Sequence, residues 1–96
     1  KIIESLSNVC TRSVLFSVKN ESKDVMQIAD ELKISISTVY KTLSTLEDLA
    51  LAEIDRYVIS PEGKKIKLYR SRIGKVEITL DDLEPTLMLH PNDSKN

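Results

Sequence analysis

Five residues between positions 37 and 44 have the types and spacing to read a polar surface. Ser37, Thr38, Tyr40, Lys41 and Ser44 recur every three or four residues, the period of one helical face. Hydroxyls of this size and one cation can approach base edges and phosphates, and the run carries no acid until Glu47. Ser35, just ahead, is a helix-capping type. A second group follows. Lys64, Lys65 and Lys67 cluster behind Ser60-Pro61-Glu62-Gly63, which has Ser, Pro and Gly where a type I turn wants them. Lysines on a hairpin tip neutralise phosphates and carry little base information. They would equally keep an exposed hairpin soluble and discourage edge pairing.

The other site chemistries are poorly supplied. Gly63 and Gly74 are the only glycines, so no glycine-rich phosphate cradle can be built. Cys10 is the single cysteine, which excludes an intramolecular disulfide and any CxxC metal or redox pair. His90 is the single histidine. No nucleophile, base and orienting group can be assembled, so an enzyme is not expected, and no metal or cofactor is called for. Asp81, Asp82 and Glu84 are three carboxylates without a rigid frame, which reads as a solvated cluster. Asn20-Glu21-Ser22 and Asn92-Asp93-Ser94 resemble glycosylation triplets but have no meaning without secretion.

The elements that must position these residues follow from periodicity. Ile2 to Leu6 allow a leading helical turn, and Ser7 or Asn8 can cap a helix to about Lys19 with Val14, Leu15 and Val18 on one face. Residues 20–23 read as a polar loop. Asp24 and Gln27 have capping-box spacing for a short helix with Val25, Ile28, Ala29 and Leu32 inward. A tight connection at Lys33-Ile34 leads to a longer helix, about 36–49, with Val39, Leu43, Leu46 and Leu49 as its core stripe. From Ala52 the period becomes two, predicting a strand, the turn at 60–63 and a basic returning strand through Ile66 and Leu68. Val76, Ile78 and Leu80 alternate again and allow an extra strand.

Length and charge bound the reading. The 96 residues suit one domain, and 41% hydrophobic with 30% charged residues is the balance of a folded soluble chain rather than a disordered one. The net charge of −1 is unevenly spread. Seven cations face one anion from Arg56 to Lys75, against six and nine in residues 1–55 and one and five in residues 76–96. A cationic segment between acidic ones is a candidate footprint for a polyanion. No apolar run has the roughly 20 residues that span a bilayer, no signal peptide is visible, and a cytoplasmic chain is expected.

The order helix, short helix, tight turn, longer helix, basic hairpin matches a helix-turn-helix. The run from Asp24 to Ala52 resembles the winged helix-turn-helix of ArsR-type transcriptional regulators, archaeal ones in particular. The most specific part is Ile28-Ala29…Leu32 followed by Ser35, Ser37-Thr38-Val39-Tyr40 and Leu43…Leu46-Glu47, and the resemblance covers about residues 6–70. It implies an α+β winged helix of three core helices and a C-terminal hairpin wing. It also implies a recognition helix at about 36–49 in the major groove and a wing at about 60–67 on phosphates or the minor groove. Small transcriptional regulators of this type bind double-stranded DNA as homodimers. The expected DNA-binding set is Ser35, Ser37, Thr38, Tyr40, Lys41, Ser44, Lys64, Lys65 and Lys67.

The family's metal sensors carry paired cysteines that this chain lacks, so metal sensing is not carried over, and no small-molecule effector is inferable. The family usually has glycine where Ala50 stands; alanine in a left-handed cap costs on the order of 1 kcal/mol, so a different helix end is expected. Residues 1–80 are expected to form the DNA-binding domain and 81–96 an acidic tail, partly disordered or touching a second copy, with Ile2, Ile3 and Leu6 at one end and Val76, Ile78, Leu80, Leu83, Leu87 and Leu89 at the other as spare apolar residues for a dimer. The alternative is a winged helix serving only as a protein-interaction module in a larger assembly.

Overall fold

A computed structural model describes residues 2–81 and 83–93. Its elements are α1 (Ile2–Ser7), α2 (Val9–Ser17), α3 (Val25–Leu32), α4 (Ile36–Asp48), β1 (Ala52–Ile59), β2 (Lys65–Ser71), β3 (Ile73–Leu80) and β4 (Pro85–Pro91). The architecture is the expected α+β winged helix, with β1–β2 as one antiparallel hairpin and β3–β4 as a second.

The core is built from the predicted helix faces. Val14, Leu15 and Val18, with Val25, Ile28 and Ala29, meet Val39, Leu43 and Leu46, and Leu6, Leu51, Ala52, Tyr69 and Ile73 close the cluster. Leu32 and Leu49, expected in the same stripes, pack half-buried at its margin.

Local chemistry sets each boundary. The Asn8 side chain accepts from the Thr11 N–H at 3.0 Å and starts α2. Arg12 reaches back to the carbonyls of Leu6 and Ser7 at 2.9 and 3.2 Å, satisfying the end of α1. Residues 2–7 are therefore a helix of their own rather than a leading turn. Asp24 and Gln27 form the full capping box of α3, with reciprocal bonds of 2.8 and 2.9 Å. Lys33 then takes a left-handed φ of 59°, and Ile34 donates to the Ala29 carbonyl at 3.1 Å. This one residue turns the chain from α3 into α4.

The end of α4 corrects the reading of Ala50. Alanine does adopt the left-handed conformation, with φ of 60°. Its N–H donates to Glu47 at 2.9 Å and that of Leu51 to Leu46 at 2.8 Å, the paired bonds of a Schellman end. Leu51, fully buried, locks the geometry that the missing glycine would otherwise have eased. Ala50→Gly removes the Cβ penalty but gives the unfolded chain more entropy to lose, leaving a net gain of about 0.5 kcal/mol. Thermal unfolding should show the midpoint raised by about 2–4 °C; a lowered midpoint would mean that the alanine is not strained.

Two further segments depart from expectation. Lys23, read as loop, pairs with Tyr69 through backbone bonds of 3.1 and 2.8 Å, so the segment before α3 is stitched to the wing. The chain after residue 84 forms β4, which pairs with β3 across a register shift near Gly74. A Cβ at Gly74 would lie 3.1 Å from the Pro91 carbonyl oxygen, a tight contact that a larger residue relieves only if the Pro91 backbone gives by a few tenths of an ångström. Asn92 fastens the base of this second hairpin. Its Nδ2 donates to the carbonyls of Lys19 and Ser71 at 2.8 Å each, and its N–H to Arg72 at 2.9 Å. Of the tail residues, Asp82 and 94–96 lie outside the described residues, which includes Ser94 of the second triplet and part of the end expected to be disordered.

Candidate nucleic-acid interface

The packing of α4 decides what its other face can do. With Val39, Leu43 and Leu46 buried, the residues between them turn outward: Ser37, Tyr40, Lys41 and Ser44 are exposed and Thr38 is half-buried. At about 1.5 Å per residue, the helix from Ile36 to Asp48 is about 20 Å long, enough to lie across a major groove. Its first turn is organised by Ser35. That hydroxyl accepts from the Thr38 N–H at 3.1 Å, bonds the Thr38 hydroxyl at 2.8 Å and lies 3.2 Å from the Ser37 hydroxyl. Ser35 is thus first a helix cap, and a contact to a ligand would share it with that duty.

The wing stands beside this helix because β1 and β2 pair in register from Val58 and Ile66 out to Ile59 and Lys65, closed by the 60–63 turn. Gly63 donates to the Ser60 carbonyl at 2.8 Å and takes φ of 84°, which glycine permits without strain. Register puts Tyr57 opposite Lys67 and Ile59 opposite Lys65. The Lys65 ammonium lies 4.5 Å from the Tyr57 ring centroid, a cation–π contact that holds one lysine over the strand.

Between helix and wing runs an open groove of about 550 Å³. Asp24, Val25 and Met26 from the start of α3, Tyr40 from α4, and Ser60, Glu62, Lys64, Lys65, Ile66, Lys67 and Tyr69 from the wing line it. The structure therefore brings Tyr40 together with Lys64, Lys65 and Lys67. Ser35, Ser37, Thr38, Lys41 and Ser44 stand on the helix outside the groove. Among the described residues no ion pair engages Lys41, Lys64, Lys65 or Lys67. Of the two acids on the groove, Asp24 is committed to capping α3. Tyr69 closes the floor. Burial first, then the charge of Glu47 and the neighbouring Tyr40 and Tyr57, push its phenol above the ordinary value, so it stays a neutral hydroxyl.

Sequence reasoning missed Met26, Ile66 and Tyr69 on the groove, and Tyr57, whose ring meets Lys65 beside it. Tyr57 and Tyr69 were read only as alternating strand positions; the hairpin register, countable outward from the 60–63 turn, would have set Tyr57 beside the lysines. Met26 is 67% exposed although it sits in an apolar helix, because it lies opposite the Val25–Ile28–Ala29 stripe. Ile66 gave no signal beyond strand alternation. Among the described residues no group of three or more metal-ligating side chains occurs, and no helix is long and apolar enough to cross a membrane.

No protein-family model matches the chain. A search of curated proteins finds an uncharacterized helix-turn-helix-type transcriptional regulator from Methanocaldococcus jannaschii. It is 33% identical over 66 residues, which covers 69% of this chain and 70% of that protein.

Proposed function

We propose that this chain, which belongs to the helix-turn-helix transcriptional regulators, binds double-stranded DNA sequence-specifically and regulates transcription through that contact. Helix α4 lies in the major groove with Ser37, Thr38, Tyr40, Lys41 and Ser44 toward the bases and their flanking phosphates, and Ser35 supports its first turn. Lys64, Lys65 and Lys67 hold phosphates or the edge of the minor groove. The observation that carries this reading is that Tyr40 and the three wing lysines border one groove. A protein with a helix in the major groove and a wing in the next minor groove must straddle one sugar–phosphate strand. A channel walled by lysines and tyrosines suits that strand. Within the family, the Asp24–Ala52 pattern and the basic wing support an ArsR-type regulator, archaeal in type, cytoplasmic and homodimeric. Two copies would read half-sites about one helical turn apart.

The wing gives the sharpest test. Each lysine that neutralises a phosphate contributes about 0.9 to the slope of log affinity against log salt. Replacing Lys64, Lys65 or Lys67 singly by alanine should lower that slope by about this amount and leave base preference nearly unchanged. An unchanged slope for all three removes the wing from the interface. A chain that passes through a DNA column at low salt favours the protein-interaction module instead.

A further inference from the structure

Two consecutive residues tie both strands of the wing to the helical body. They come from the polar run before α3. Lys23 exchanges backbone bonds of 3.1 and 2.8 Å with Tyr69 of β2. Ser22, just ahead of it, reaches β1, where its hydroxyl donates to Asp55 Oδ2 at 2.7 Å. Ser22 is only 7% exposed, and a hydroxyl taken that far out of water is held to its partner. Asp55 stands where the β1–β2 register shifts: Ile54 and Arg56 pair with the adjacent residues Tyr69 and Leu68, and Asp55 is left out of the ladder. An extra residue of this kind bends its strand and re-aims a side chain, here onto Ser22. Arg56 bonds the same carboxylate oxygen and fixes it from a second side.

We infer that Asp55, held by Ser22, sets the angle of the wing against α4 and so decides whether Lys64, Lys65 and Lys67 reach the DNA strand between helix and wing. The inference rests on the proposed DNA-binding reading for its functional consequence. Asp55 is a positioning residue that acts through the lysines. Leverage gives it weight. Beyond the joint, β1 is exposed from Arg56 to Ile59, and Ile59 lies opposite Lys65. Four residues at about 3.3 Å each put the tip about 13 Å from the joint, so a swing of about 15° moves it about 3 Å, the length of a hydrogen bond. A wing displaced that far carries its lysines off their phosphates. Charge acts in the opposite direction. An acid beside a surface that binds a polyanion repels it, so a purely electrostatic Asp55 would weaken DNA binding and its removal would tighten it. The positioning role and the electrostatic role therefore differ in sign.

Titration of the full chain with a duplex selected from a random pool tests this. Asp55→Ala should weaken binding about eightfold for each lysine it displaces, at about 0.1 M salt, and lower the salt slope by about 0.9 for each. Ser22→Ala should do the same, and the double variant should bind no more weakly than either single one, since both break one bond. Asp55→Asn keeps an acceptor for Ser22 and sheds the charge, so it should bind at least as tightly as the parent. An Asp55→Ala chain that binds as tightly as the parent, or an Asp55→Asn chain as weak as Asp55→Ala, overturns the inference. Residual dipolar couplings of the backbone amides, measured without DNA, separate it from the DNA-binding reading. In the parent and in Asp55→Asn the wing and the helices should fit one alignment frame, and in Asp55→Ala the wing amides should depart from it. A parent that ignores DNA while its variants show this pattern removes the proposed function and leaves the joint standing. Wing amides that keep the common frame in Asp55→Ala, in a chain whose parent binds DNA, do the reverse.

Discussion

Replacing Leu43 by alanine is expected to destabilise the fold by about 2–5 kcal/mol, the range for deleting a fully buried leucine side chain from a close-packed core. Leu43 is 1% exposed and sits midway along α4, between Val39 and Leu46. Its neighbours in the cluster come from all three core helices, so no single side chain can collapse into the space left. A domain of this kind holds about 5–15 kcal/mol in total, so the loss is a large share of it. The effect reaches function because Tyr40 and Lys41 are presented by the same helical turns that Leu43 anchors. Urea unfolding should show a lower midpoint with an unchanged slope, and DNA affinity should fall as the helix loosens. A loss below about 1 kcal/mol would mean that α4 is not fixed by this packing.

Tyr40→Ala is expected to act the opposite way, on binding and not on stability. The side chain is 58% exposed, so its removal opens no cavity, and the fold should change by no more than about 0.5 kcal/mol. On DNA, a lost base contact is worth about 1–3 kcal/mol, which is about 5- to 150-fold in affinity for the preferred site. Tyr40 also borders the groove with the wing lysines, so it is the one residue of α4 placed to touch both a base edge and the strand between helix and wing. Preference among sequences should relax together with affinity. If the folded variant keeps both, Tyr40 is a solvent-facing residue and the groove belongs to another ligand.

The helix-turn-helix was legible because its signals are local. The Asp24–Gln27 box, the Ser35 cap and the Val39–Leu43–Leu46 stripe each fix structure within a few residues, and each forms the bonds its spacing implies. The outward face of α4 follows from the same stripe, since a helix that buries those positions must expose Tyr40, Lys41 and Ser44. The second hairpin was not legible as such. Pro85 and Pro91 stand at the two ends of β4, where a missing donor costs little. Its base is held by Asn92 bonding to Lys19 and Ser71, contacts far apart in sequence that no periodicity announces. Ala50 misled for a different reason. Propensity disfavours alanine at positive φ, but the burial of Leu51 outweighs a penalty of on the order of 1 kcal/mol. The groove itself is a tertiary feature. It needs the wing beside α4, and the Lys23–Tyr69 bridge that stitches them together lies in a stretch whose composition reads as loop.

The central claim is sequence-specific binding of duplex DNA through α4 and the wing. The most direct measurement selects bound duplexes from a random pool and then titrates the chain with the winning duplex and a shuffled one at the same salt. The selected duplex should bind at least about 10³-fold tighter. Equal affinity for the two, or no enrichment from the pool, would contradict it.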